Sequence, residues 1–203
     1  MQPEPIKRFA EIFSKLPSIG PRQAQRLAFY IVTLGKAKIR EMAESLDDLG
    51  KMKTCQNCFS VYFPTPANAE NLCNICLDKK RDKGIIAIVE KETDLLSLER
   101  THKYNGRYLV IGDLQKSGSL ESEQKLRLNA LKKFIEKELG GTAEEIIIAI
   151  NPTTYGDLNA GMLAKELKDF THKITRLGRG IPTGGEIEFA DEDTLKSAIE
   201  RRI

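Results

Sequence analysis

All four cysteines of the chain lie in one stretch, CQNCFSVYFPTPANAENLCNIC, as two Cys-x-x-Cys pairs, Cys55/Cys58 and Cys73/Cys76, separated by 14 residues. Each pair offers two sulfurs from one tight turn. Two such turns can set four thiolates tetrahedrally around Zn²⁺, with Zn–S bonds of about 2.3 Å. Four protein ligands leave no open coordination position, so the site would be structural and not hydrolytic. The intervening FSVYFPTPANAEN has too few apolar residues for a core of its own, and metal ligation would supply the missing stability. A reducing compartment disfavours disulfides. An iron–sulfur cluster or a redox pair would use the same residues, but the spacing favours zinc.

A second set of residues is basic. Residues 1–40 carry Lys7, Arg8, Lys15, Arg22, Arg26, Lys36, Lys38 and Arg40 against Glu4 and Glu11, a net +6 in a chain whose total is only +3. Such a local excess draws polyanions even when the whole protein is nearly neutral; a solvated helical surface is the plainer reading. The third set is acidic: Glu90, Asp94 and, farther on, Asp157 follow β-rich runs.

These residues need elements to position them. Ile6, Phe9, Ala10 and Phe13 fall at helical spacing, which predicts an amphipathic helix over 4–16 ended by Pro17. Pro21 suits the first turn of a second helix, with Ala24, Leu27, Ala28 and Ile31 on its inner face. Gly20 stands at the entry of that helix, where free backbone N–H groups suit a phosphate, and Arg22 and Arg26 add charge one turn apart. Residues 37–49 form a third helix leading to the first cysteine pair.

Beyond the cysteines, GIIAIV (84–89), RYLVIG (107–112), EEIIIAI (144–150) and KITRLG (173–178) read as strands. The helical ETDLLSLERT, ESEQKLRLNALKKFIEKEL and GDLNAGMLAKELKDF alternate with them. Leu128, Leu131, Ile135 and Leu139 line one of these helices, and Leu163, Leu167 and Phe170 another. The alternation predicts an α/β domain with a parallel sheet covered by helices on both faces, its chemistry at the strand C-termini. The expected layout is a helical region over 1–53, a small four-cysteine module over 54–80, the α/β domain over 81–175, and a Gly-rich loop and helix over 176–203. In that last part EIEF reads as β-like, with a helix capped near Asp191; its glycines lack the Lys-Ser/Thr of a P-loop. No apolar run reaches the roughly 20 residues of a membrane span, and MQPEPIKRFAEIF does not read as a signal peptide. These features point to a cytoplasmic protein.

Three resemblances add to this reading. LPSIGPRQA resembles the helix-hairpin-helix motif L-P-G-I-G-x-x-x-A: Leu16, Pro17, Ile19, Gly20 and Ala24 match, and Ser18 replaces the first Gly. The motif implies a grip on DNA backbone by Lys15, Gly20, Arg22, Arg26 and Lys36; a plain helical hairpin is the alternative. VEKETD resembles the opening of a Toprim domain, in which Glu follows the first strand and a later D-x-D holds Mg²⁺. Here Asn151 and Thr153 stand at the D-x-D positions. Mg²⁺ binding would therefore be weak or absent, because hard cations want anionic oxygen. Glu90 and Asp94 have a structural reading as caps of the following helix.

The order of parts, with LPSIGPRQAQRLAFYI, the four cysteines, AINPTTYGD and RLGRGIPTGGEIEFADEDTLKSAIERR, resembles the RecR family of recombination mediators along essentially the whole chain. The resemblance implies a non-catalytic DNA clamp, a ring-shaped homo-tetramer. Such clamps help load the recombinase RecA on gapped or single-stranded DNA together with RecO and RecF. The zinc module would then be a rigid joint. Tyr155 and Asp157 in AINPTTYGD depart from the family's N-P-T-x-E-G-E, and GDLQKSGSL (112–120) departs from its usual loop. The rival readings are a Mg²⁺-dependent Toprim enzyme that cuts or primes nucleic acid, and an RNA-binding protein. The latter lacks a stacking platform, with no Trp and 6% aromatics.

Overall fold

The computed structural model describes residues 2–66, 71–200 and 202. It falls into two compact units, Met1–Met52 and Lys53–Ile203.

The first unit is three helices: α1 (Glu4–Phe13), α2 (Pro21–Thr33) and α3 (Gly35–Gly50). α1 and α2 pack together and bury Ile6, Ala24 and Ala28; the two alanines let the backbones approach. Phe9 and Phe13 stack with ring centroids 3.9 Å apart. α1 stops at Phe13, short of the expected residue 16. The Lys15 and Leu16 amides bond instead to the Ile12 and Phe13 carbonyls, at 3.3 and 3.1 Å. The turn tightens because Leu16 precedes Pro17, and a residue before proline is pushed out of α geometry. α3 buries no side chain. Its apolar residues Ile39, Met42, Leu46 and Leu49 recur at helical spacing, forming one exposed stripe.

The second unit opens with a short antiparallel pair, β1 (Lys53–Thr54) and β2 (Val61–Tyr62), and a one-turn helix, α4 (Asn74–Leu77). Then come β3 (Ile85–Val89), α5 (Glu92–Glu99), β4 (Arg107–Val110), α6 (Ser122–Glu138), β5 (Glu145–Ala149), α7 (Thr154–Leu167), β6 (Ile174–Arg176) and α8 (Glu192–Glu200). The last four strands form one all-parallel sheet in the order β4-β3-β5-β6. The chain moves outward from β3 to β4, then returns to place β5 on the other side of β3. The direction change sets a crevice at the C-terminal ends of β3 and β5.

Strand alternation sorts the core into two faces. Ile86, Ile88, Leu109, Ile146 and Ile148 pack with Leu128, Leu131 and Ile135 of α6 and Leu163 and Leu167 of α7. Ala87, Val89, Tyr108, Val110 and Ala149 face the other way. That second face is covered by α5, so helices lie on both sides of the sheet as expected, and it also holds the cysteine segment. It carries Leu95 of α5 together with Cys55, Cys58, Tyr62 and Cys73. The cysteine segment, too poor in apolar residues for a core of its own, joins the core of the sheet.

EIEF is not β-like. Ile187–Phe189 is a 3-10 turn whose amides bond locally, Phe189 N–H to Glu186 O at 3.2 Å, and Phe189 is 80% exposed. The cap at Asp191 is present: its Oδ1 accepts the Thr194 amide at 2.9 Å.

Candidate functional site

Two turns build the cysteine centre. The first is bracketed by β1 and β2: the Phe59 amide bonds to Cys55 O at 3.0 Å and the Cys55 amide to Ser60 O at 2.9 Å. Phe59 takes φ +62° to complete it. In the second, Cys73 caps α4 and Cys76 lies within it. The Gln56 amide reaches Asn71 O at 3.1 Å, and the Cys73 amide donates to Cys55 Sγ at 3.3 Å, tying one turn to the other.

All four sulfurs lie within 4.8 Å of one another, and Cys58 Sγ is 3.5 Å from Cys73 Sγ. A tetrahedron of thiolates around Zn²⁺ has sulfur–sulfur edges of about 3.8 Å, so the donor set fits such an ion. Among the described residues, this is the one group of three or more His, Cys, Asp or Glu side chains placed to hold a metal. Hydrogen bonding from Cys58 pulls the Cys55 thiol down, and hydrogen bonding to Cys55 pushes Cys58 and Cys76 up. A cation held by all four sulfurs would replace their protons. The four cysteines can bind a metal ion.

The centre is fastened to the sheet. The Val110 amide donates to Cys58 O at 2.8 Å, pairing the first turn with the outer edge of β4. Arg107, only 7% exposed, donates to Ile75 O at 2.7 Å and to Asp78 O at 3.0 Å. Arg127 lies over the Phe59 ring at 5.4 Å and donates to Val110 O at 2.9 Å.

In the helical unit, Ser18 adopts φ +63°, the left-handed conformation that a glycine would reach without steric cost. The hairpin therefore keeps its path with Ser in the Gly position. Gly20 is the N-cap of α2, makes no side-chain cap bond, and is followed by Pro21 in the first turn. Arg22 and Arg26 are exposed one turn apart, and Lys15 and Lys36 are exposed on the flanking segments. Among the described residues, none of these four cations has a carboxylate within ion-pair distance. Lys7, by contrast, pairs with Glu11 at 4.0 Å and Lys38 with Glu41 at 2.6 Å.

The acids of the sheet edge go three separate ways. Glu90, just after β3, accepts the Leu114 amide at 3.3 Å and Asn151 Nδ2 at 3.4 Å across the crevice. Asp94 accepts the Lys91 amide at 3.0 Å and so caps the opening of α5; the capping reading holds for Asp94 and not for Glu90. Asp157 is bound by Arg176 at 2.6 Å and by Arg179, and the Arg176 hydrogen bond leads in holding its carboxyl below the usual range. Thr153 caps α7, accepting the Gly156 amide at 3.0 Å. Gly156 is sterically fixed, since a Cβ there would lie 1.9 Å from Asn151 O. Asp94, Asn151, Asp157, Arg176 and Arg179 share the wall of a cavity of about 690 Å³, to which Asp191 and Thr194 also contribute.

Sequence reasoning missed Arg107, Arg127, Arg176 and Arg179, whose partners are distant in sequence. It also missed that the two divergent loops touch. Lys116 Nζ lies 5.6 Å from the centroid of the Tyr155 ring, and Asn159 Nδ2 donates to Gln115 O at 3.0 Å.

Three family models match in the order of these parts: RecR helix-hairpin-helix at residues 6–49, Toprim domain at 84–178, and RecR C-terminal at 180–203. The chain is 34% identical over 198 residues to the "Recombination protein RecR" of Bifidobacterium longum (strain DJO10A), covering 97% of this chain and 94% of that one. The protein of that name from Frankia alni (strain DSM 45986 / CECT 9034 / ACN14a) is 35% identical over 199 residues, 97% of this chain and 95% of its own. That of Gloeobacter violaceus (strain ATCC 29082 / PCC 7421) is 34% identical over 203 residues, 100% and 98%. No helix among the described residues is long and apolar enough to cross a membrane. Likeness that runs nearly end to end, with the helix-hairpin-helix, Toprim and C-terminal models matching in order, makes this chain a member of the RecR recombination-protein family.

Proposed function

We propose that this chain acts in recombinational DNA repair as a non-catalytic DNA-binding clamp in the cytoplasm. In this reading Arg22 and Arg26, helped by Lys15 and Lys36, hold phosphates at the opening of α2, where the Gly20 turn leaves backbone amides for them. Cys55, Cys58, Cys73 and Cys76 hold one structural Zn²⁺, which cross-links the two turns and does no chemistry on DNA. The exposed stripe of α3 supports self-association into a ring, for which the family resemblance suggests a tetramer. The sheet edge around Glu90 and Asp157 serves contact with RecO or RecF during loading of RecA on gapped or single-stranded DNA.

The observation that carries the non-catalytic reading is the dispersal of the acids. Phosphoryl transfer at a Toprim edge needs carboxylates converging on Mg²⁺ to neutralise the transition state. Here Asp94 is engaged in a cap, Asp157 by two arginines, and Asn151 and Thr153 supply no charge. Incubating the zinc-loaded protein and Glu90→Ala with Mg²⁺ and labelled single-stranded, duplex and gapped DNA tests it. The expected result is retarded DNA on native gels and intact strands on denaturing gels. Nicking, relaxation or primer synthesis that disappears in Glu90→Ala would establish the Toprim-enzyme alternative instead.

A further inference from the structure

A second cavity, of about 610 Å³, lies between α6 and the segment that carries the second cysteine pair. It is distinct from the crevice at the strand C-termini and shares no lining residue with it. Its cations are Lys79, Lys83, Arg107, Lys133 and Lys137, and its one carboxylate is Glu138. Lys83 pairs with Glu138 at 2.9 Å. Among the described residues, no carboxylate lies within ion-pair distance of the other four cations. Lys133 and Lys137 are one turn apart on α6 and so present two ammonium groups to the same side.

Arg107 is the telling member. It is 7% exposed, and its two bonds go to the Ile75 and Asp78 carbonyls, which are dipoles and not counter-charges. Its Nε is buried with no hydrogen-bond partner. A buried guanidinium bonded only to carbonyls and left with a free N–H is costly, and a concave wall on which five cations outnumber Glu138 and the Cys76 thiol focuses a positive field on whatever enters. Leu77, Leu131 and Phe134 give the same cavity an apolar wall.

We propose that this cavity is a binding site for a phosphate-bearing ligand with an aromatic or apolar body, of nucleotide size. The net lining charge calls for an anion carrying several charges, which a phosphate chain supplies and a single carboxylate does not. The volume lies in the range of small-molecule sites and far exceeds what bare phosphate fills. The apolar wall takes the body and the lysines take the phosphates. That chemistry has two sources, a free nucleotide and a nucleotide of a DNA strand.

The test is calorimetric titration of the full-length, zinc-loaded protein with ATP, with inorganic phosphate, and with ATP in the presence of a short single-stranded oligonucleotide. Saturable ATP binding at one site per chain, at least tenfold tighter than inorganic phosphate, is expected. Lys133→Glu/Lys137→Glu, two exposed changes on α6, should weaken it at least tenfold while circular dichroism and metal content stay as in the parent. Displacement by the oligonucleotide assigns the site to a DNA strand, and undisturbed ATP binding assigns it to a free nucleotide; either supports the site. ATP binding that does not saturate at millimolar concentration, binding unchanged in the double variant, or an acidic peptide that binds where ATP does not, would each overturn it.

Discussion

In the helical unit, the buried apolar side chains among the described residues are Ile6, Ala24 and Ala28, and α3 contributes none. In the second unit, every strand of the sheet except β6 is lined on both faces by buried residues, and even the cysteines are part of a hydrophobic cluster. One unit is held by its own core. The other leaves both its apolar stripe and its uncompensated cations facing outward. A surface of that composition is built to meet something else, because apolar area left in water forfeits about 25 cal/mol for each Å². The cysteine cluster belongs energetically with the sheet, although in sequence it stands between the two.

The largest way to break this comparison is to remove a sulfur. Cys73→Ser should lower the metal content from about one equivalent per chain to near none and lower the thermal stability of the sheet unit, because metal binding and folding of such modules are one equilibrium. Elemental analysis and a melting curve read both. A variant that keeps its melting temperature would show that the centre is not part of that core. Next in size is the stripe on α3. Leu46→Glu should weaken self-association by at least about tenfold, roughly 1.4 kcal/mol, seen as lighter species in sedimentation velocity. An unchanged profile would mean that the stripe meets some other partner. Arg22→Ala should weaken DNA binding by about fivefold, ~1 kcal/mol, on all sequences alike, and flatten the salt dependence by about one phosphate contact. A loss confined to one sequence would contradict a backbone grip.

The smallest effect sharpens the comparison from inside the helical unit. Ser18→Gly relieves a left-handed residue but loosens the unfolded chain, leaving a net gain of about 0.5–1 kcal/mol. Amide exchange in α1 and α2 should slow by a few-fold. Faster exchange would show that the Ser18 side chain contributes more than its backbone costs.

The sheet was legible because β3 and β5 are nearly pure runs of Ile, Val and Ala, and all four strands are separated by helical periodicity, a pattern that is local. The cysteine cluster was legible for the same reason, as spacing within 22 residues encodes it. What escaped was long-range. Nothing near Cys58 announces that its carbonyl will pair with Val110, and nothing near Asp157 announces Arg176 and Arg179. The left-handed Ser18 was signalled only by the motif, which has Gly at that position; its own residue type argues for an ordinary turn. EIEF misled because alternation over four residues is too short to distinguish a strand from a turn that satisfies its own amides. α3 was legible as a helix, but its period alone does not say whether a stripe is buried in the same chain or left open.

The bond between the Val110 amide and Cys58 O also has a consequence for handling and turnover. β4 is an outer strand, and the cysteine turn is what occupies its free side. When a chelator or an oxidant dismantles the turn, β4 is left with an unpaired N–H, a ready template for a strand of another molecule. Loss of the turn should therefore appear as precipitation that grows with protein concentration, well before the sheet melts, and, on the proposed zinc reading, chains made under zinc starvation should end in aggregates and not as intact apo-protein.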